Sequence, residues 1–575
     1  MRSFLFVLTF FAITSLQAQT IRYVKPTATG TGDGSSWANA SGNLQAMINA
    51  SDYNDEIWVA EGTYQPIAPN SSFGIAGNIK LFGSFPATGA PGMADRNFSS
   101  NETILQGKGN ASVVKNDYYE HSSEGVIDGF IIQGGGGSGG GGIYNWGASP
   151  TISNCVIRNN TVSGNGSAGG GVHNAGNPAS NPTFINCIFY NNAAERGGAI
   201  YNNTRAGSII KNCHFLNNHA SLSGGAIQNY ASTVTIQNSI FHNNSSSGSG
   251  GAIANFETSN LNIYNSLFYK NTAASWCVII NGSSGVWDEG GSILTIVNSS
   301  FEGNHNSSSS TTAAVGNFDG NSATIYNSIF WNNYRAPDWQ NNTAIPAYGS
   351  NITASNNLTT QNPLFVDAAN GNYQLQTGSP AINAGSNSFY LSSYPPDDLA
   401  GNQRIFNTTI DMGAYEFGSI ALPATFGPVS ASIKNGQLLV NWATETETNN
   451  SHFEIMASTD GNNFHKIGTV QSKARDGNSA RALQYEFSIT ENQARTLAAV
   501  SLLGLMAIGC AGWSRRRKII AMGAMLLLNG ALFYSCAKRD VAIDRGTAGK
   551  LFIKIVQVDK DGTTTAGRAV QAVTE

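Results

Sequence analysis

Residues 199–242 read AIYNNTRAGSIIKNCHFLNNHASLSGGAIQNYASTVTIQNSIFH, and one pattern occurs twice within them. Ala199-Ile200-Tyr201-Asn202 returns as Ala226-Ile227-Gln228-Asn229, and the run from Ile210 to Phe215 returns from Ile236 to Phe241. Working outward, the first asparagine recurs at Asn145, Asn174, Asn202, Asn229 and Asn255, spaced 29, 28, 27 and 26 residues apart, with looser copies at Asn281 and Asn317. A second series runs through Asn154, Asn186, Asn212, Asn238, Asn265, Asn298 and Asn327, each followed by Cys or Ser. Two residues before each stands Ile or Phe, and three residues after each again Ile or Phe, as in Ile210 and Phe215. Those two apolar positions are out of phase for one straight strand, so the chain must bend at the asparagine to bury both.

A period of 26 to 29 residues is short for a propeller blade and lacks the 3.6-residue rhythm of helical repeats. It fits one coil of a parallel β-helix, in which equivalent side chains stack about 4.8 Å apart into columns. Asparagine suits the bend, because it tolerates left-handed backbone and its amide can donate to one neighbour and accept from the other. These columns are expected to be structural. Cys155, Cys187 and Cys213 share one register and are expected to stack as buried thiols. Upstream, Asp55 to Tyr64, Ile79 to Phe82 and Gly125 to Ile132 read as strands of the same rod, with Trp37 and Leu44 to Ile48 capping its open end.

Composition narrows the function. The 575 residues exceed one ordinary core, and Lys+Arg 31 with Asp+Glu 35 make only 11 % of the chain. A net charge of -4 gives no basic field for a polyanion, which argues against nucleic acid as partner. The 65 glycines fall in recurring clusters, as repeated tight turns require.

Both ends carry membrane signals. Met1 and Arg2 precede an apolar run from Phe4 to Leu16 and a small Ala18, so residues 1–19 are expected to be a cleaved signal peptide. Leu497 to Trp513 and Ile519 to Ala537 are apolar, each about 26 to 28 Å long as a helix, and are separated by the basic run 514–518. A transmembrane hairpin through 497–537 is expected, its basic loop cytoplasmic and both flanks on the exported side. Cys536 sits in a lipobox-like setting, though internally.

The segment from about Tyr23 to Phe417 resembles right-handed β-helix proteins of Bacteroidetes with the pectate-lyase-like fold. Asn362-Pro363-Leu364-Phe365, Gly378-Ser379-Pro380-Ala381-Ile382-Asn383 and Asp411-Met412-Gly413-Ala414-Tyr415-Glu416 resemble the closing module called choice-of-anchor Q. Alternating runs at Leu438 to Trp442, Phe453 to Met456, Phe464 to Val470 and Tyr485 to Ile489, with Leu551 to Val558 beyond the hairpin, resemble a fibronectin type III-like sandwich. The expected class is thus mainly β. A right-handed single-stranded parallel β-helix (20–417, closing module 362–417) precedes a small β-sandwich (425–490 and 550–575) interrupted by the transmembrane helical hairpin. The resemblance implies an exported, envelope-associated bacterial protein, and the signal peptide with the hairpin adds the expectation of a membrane anchor with the β-helix on the non-cytoplasmic side; no type IX sorting domain is found.

Chemistry is sparse. No Cys-x-x-Cys or zinc spacing of histidines occurs, so no metal site is expected. Lyases of this fold hold calcium on carboxylates and hydrolases pair two acids. Glu257 and Asp319 each follow a first-series asparagine by two residues, which would place them about 10 Å apart, and are the catalytic candidates. Between them, an excess around Trp287, Asp288 and Glu289 makes a loop where a sugar could stack and hydroxyls or calcium bind. The insertion from Tyr334 to Ser350 belongs to another edge of the prism. The ordering of functions is adhesion or carbohydrate binding by a non-enzymatic rod, then a polysaccharide lyase or glycoside hydrolase, then a spacer without ligand.

Overall fold

The computed structural model describes residues 19–499 and 551–574 except 76–77, 99, 118–124, 138, 283–290, 308–313, 319, 336–346, 407, 419–425, 435, 445–446, 448–449, 460–463, 475–478, 480–482, 561–563 and 568. The chain divides into two compact units that meet in sequence near residue 417.

The first unit is a parallel β-helix. Strand Ile143–Trp146 pairs in register with Val172–Ala175, so that Asn145 faces Asn174, and the series continues through Ile200–Asn203, Ile227–Tyr230, Ile253–Phe256, Ile279–Asn281 and Val315–Asn317. Among the described residues this sheet, here sheet 1, has ten strands. Sheet 2 has twelve, among them Thr151–Ser153, Gly207–Lys211 and Thr233–Gln237; sheet 3 has ten, among them Val156–Arg158 and His214–Leu216. A fourth sheet of six short strands runs from Ala193–Arg196 to Tyr334–Arg335.

The bend between sheets 2 and 3 lies at the second asparagine series, whose backbones are all left-handed, with φ between 48° and 54°. That turn lets Ile210 and Phe215 both point inward, fully buried. Phe189, Phe215, Phe241, Phe268, Phe301 and Phe330 consequently stack, with centroids 4.5–4.8 Å apart. Cys155, Cys187 and Cys213 are free and buried, and burial pushes the Cys155 and Cys187 thiols up.

The first series is a continuous chain of buried amides. Each Nδ2 donates to the Oδ1 of the next coil, from Asn116 through Asn145, Asn174, Asn202, Asn229, Asn255 and Asn281 to Asn317, at 2.6–3.2 Å. The second series departs from the expected pattern. Stack bonds join Asn186 to Asn154 and Asn327 to Asn298, both 3.3 Å, whereas Asn238 and Asn265 turn their amides toward Asp397. A third series absent from the sequence reading, Asn160, Asn192, Asn218, Asn244, Asn271, Asn304 and Asn333, forms a second buried amide chain at 2.8–3.1 Å.

The glycine pairs before the five sheet-1 strands from Ile143–Trp146 to Ile253–Phe256 have a steric cause. Gly224 has φ +68°, and a Cβ on Gly225 would lie 2.1 Å from the Gly251 carbonyl oxygen of the next coil. At the amino-terminal end, helix Leu44–Asn49 is capped by the Asn43 side chain and inserts Leu44, Met47 and Ile48 into the core.

Residues 362–417 pack along the rod as well as near its last coils. Tyr394 stacks on Tyr264 and Phe389 on Tyr326, and the Tyr373 hydroxyl donates to Glu302 Oε2 at 2.9 Å. Asp411 and Glu416 are buried hubs. Asp411 accepts from the Asn383 and Phe417 amides, Glu416 from those of Phe406 and Asp411, and Arg404 lies 3.5 Å from Glu416. Burial pushes the Glu416 carboxyl up to about 7 against the opposing pull of Arg404, and pushes Asp411 up as well. A folded pKa above the unfolded value favours the folded state below about pH 4.5 and loses that contribution as pH rises toward 7. The melting temperature of this unit is therefore expected to fall from pH 5 to pH 8, with a flatter dependence in Glu416→Gln; calorimetry at both pH values checks it.

The second unit holds two mainly antiparallel sheets around one core that includes Leu438, Val440, Trp442, Phe453, Ile455, Tyr485, Ile553 and Ile555. Strand Phe552–Asp559 pairs with Asn450–Ser458, so segments on both sides of residues 500–550 build one sheet. One pairing is parallel, Ser432 with Val573. Among the described residues no helix is long and apolar enough to cross a membrane. The hairpin expected at 497–537, its loop 514–518 and Cys536 lie outside those residues, save for 497–499, which end helix Glu491–Ala499. The signal peptide expected at 1–19 also lies outside them, apart from Gln19.

Candidate functional site

The edge where sheet 1 turns toward sheet 2 carries two exposed aromatic side chains, Trp146 and Tyr230, and the one described catalytic candidate. Alternation along Ile143–Trp146 buries Ile143 and Asn145 and points Tyr144 and Trp146 outward. Trp146 is 46 % exposed. Register places Ala175 beside it, while Asn203, Tyr230 and Phe256 are aligned with one another; because Asn174 faces Asn202, Asn203 follows Ala175 in the same column. Ala175 is buried, Asn203 and Phe256 are half-buried, and Tyr230 is 38 % exposed. A rigid column thus carries two raised rings with a small side chain and an amide between them.

The turns beyond this column are tight. Gly147, Gly176, Arg205, Ala231 and Glu257 all have positive φ, from 48° to 115°. At Gly176 a Cβ would lie 2.4 Å from the Gly147 nitrogen, so the edge beside Trp146 must be bare backbone. Glu257 is half-buried and follows Phe256 directly, which sets it at the Tyr230–Phe256 end.

The next outward column runs through Tyr144, His173 and Tyr201, whose rings meet edge to face at 5.4 and 5.1 Å. Burial drives the His173 imidazole down to about 4, so it is neutral at physiological pH, and neither ring nitrogen has a protein hydrogen-bond partner.

Of the sequence-based candidates, only Glu257 is placed by the structure. Asp319, Trp287, Asp288 and Glu289 lie outside the described residues, in segments joining sheet-1 strands to sheet-2 strands. Among the described residues no group of three or more His, Cys, Asp or Glu could hold a metal ion such as calcium. The ten ladder asparagines Asn145 to Asn255 and Asn154 to Asn265 occupy the interior column and the bend described above. Sequence reasoning missed Trp146, Asn203 and Tyr230. The signal was present, because each follows an inward asparagine and must point outward.

The coil architecture and this edge define a parallel β-helix protein. Residues 118–278 match the family model described as right handed beta helix region, and the coils they form are a right-handed β-helix domain. The chain is also similar to a solved structure, the crystal structure of pectate lyase Pel9A, at 15 % identity over 70 % of this chain and 97 % of the other, with a TM-score of 0.40. No curated protein matches the sequence.

Proposed function

We propose that the protein is an exported, membrane-anchored component of a bacterial cell envelope whose β-helix makes non-enzymatic contact with glycans through the sheet-1 edge. The observation that carries this reading is the pair of exposed rings, Trp146 and Tyr230, fixed on one strand column with only Ala175 and Asn203 between them. Sugars present apolar faces and hydroxyl edges, and exposed aromatic rings with a neighbouring amide match both. A rigid sheet holds them with little entropy left to lose on binding.

Export rests on the signal-like residues 1–19. Anchoring rests on the apolar runs of 497–537, and the pairing of Asn450–Ser458 with Phe552–Asp559 supports their hairpin form. Two segments of one sheet must share a compartment, so anything between them that enters a membrane must come back out on the same side. The buried Asp411 and Glu416 hubs support the choice-of-anchor Q reading of 362–417, and the two-sheet core supports the fibronectin type III-like one.

Glycan-affinity chromatography on immobilised plant and bacterial polysaccharides tests the proposal. Retention is expected, with roughly tenfold weaker binding in Trp146→Ala, as loss of one aromatic contact implies. Absence of retention on every matrix overturns the reading. Release of unsaturated sugars with calcium present favours the lyase alternative, in which Glu257 is the first residue to replace.

A further inference from the structure

The spacing along the column says what length and charge of ligand it takes. Trp146 and Tyr230 stand on strands three coils apart, and parallel strands lie about 4.8 Å from one another, so the rings are separated by ~14 Å along the rod. That span is about three sugar-to-sugar steps of an extended glycan, so four linked sugars reach from one ring to the other. Ala175 and Asn203 form the intervening floor, neither carries a charge, and Asn203 offers both a donor and acceptors. The ionisable residues of this edge flank the floor without entering it: Asp117 is in register with Trp146 one coil earlier, Arg205 lies on the turn beyond Asn203, and Glu257 lies one coil past Tyr230, so acidic residues stand at both ends and disfavour an anionic chain. Bare backbone at Gly147 and Gly176 keeps side chains off the turns beside Trp146.

We infer that this edge binds an uncharged glycan of at least four sugars lying parallel to the rod axis, one sugar face on Trp146, another on Tyr230, and the hydroxyls of the intervening sugars on Asn203. The inference rests on the glycan reading above and adds orientation, minimum length and charge class. Stacking at both ends is then a bivalent contact, and the second ring engages at an effective concentration fixed by the sheet.

The test is titration calorimetry of the purified protein with oligosaccharides of two to six sugars from β-1,4-glucan, β-1,4-mannan, β-1,4-xylan and β-1,3-glucan. Affinity is expected to rise roughly tenfold or more where the ligand first reaches both rings, at four sugars, and to level off beyond. For the longer ligand Trp146→Ala and Tyr230→Ala should each lose that gain, whereas a disaccharide, able to use either ring, should lose little. Trp146→Phe should restore most of it, since the position is exposed and an aromatic face remains. Binding that is independent of length, or unaffected by one of the two replacements, overturns the spanning geometry while leaving glycan binding standing. Binding of no oligosaccharide at any length, together with no retention on the parent polymers, overturns both.

Discussion

Asn218→Leu is expected to destabilise the rod by about 5 kcal/mol or more, because each buried polar group left without a partner costs about 1–3 kcal/mol. Asn218 accepts from both the backbone amide and the Nδ2 of Asn192, each at 3.1 Å, and donates to the Phe189 carbonyl and to Asn244 Oδ1, each at 2.9 Å. Leucine fills similar space and returns none of these bonds. No water can enter to replace them, since Asn218 and both its ladder neighbours are fully buried. The residue beside it supplies the control. Asn217 is half-buried at φ +55° and its side chain accepts from that of the exposed Asn243, so Asn217→Gly keeps a backbone that glycine adopts freely, gives up one partly solvated bond and should shift stability by no more than about 1 kcal/mol. Urea unfolding of the two variants, followed by far-ultraviolet circular dichroism, checks the contrast. A small effect of Asn218→Leu would mean that the amide column is not a buried hydrogen-bond chain.

Phe241→Ala is expected to cost about 3–5 kcal/mol from the void alone, with about 0.5–1.5 kcal/mol more for each lost ring contact. Phe241 lies between Phe215 and Phe268, with both centroid distances 4.5 Å and planes within 7°. In a globular core neighbours can lean into a void. Here the strands carrying Phe215 and Phe268 are held at fixed spacing by their own pairings, so little collapse is available. Phe241→Leu should recover more than half of the loss, and thermal melting of the three proteins measures it.

The β-helix was legible because pairing in a coil is local in register. Asn202 meets Asn229 and Phe215 meets Phe241 at one period, so a repeated letter in the sequence is a contact in space. The third asparagine series escaped for the opposite reason. In Asn217-Asn218 and Asn243-Asn244 the first residue is left-handed and half-buried or exposed, the second fully buried, and the doublet conceals that two identical letters do different work. Residues 362–417 lack a period, so nothing in spacing could reveal that Asp411 would bind the amide of Asn383 or Glu416 that of Phe406. The candidate site was sought among acids because chemistry requires them. The edge that emerged is instead marked by Trp146 and Tyr230, whose outward direction follows from the alternation that buries Asn145 and Asn229.

Both interior amide chains share a polarity. Asn145 donates to Asn174 and Asn160 to Asn192, always from the earlier coil to the later one. A rod assembled from its amino-terminal end therefore exposes hydrogen-bond donors on its growing face, and each incoming coil completes the one before it by bringing an oxygen. Because aligned amides polarise one another, every added coil also strengthens those already laid down. The order in which the chain leaves a ribosome or an exporter is the order in which these bonds can close.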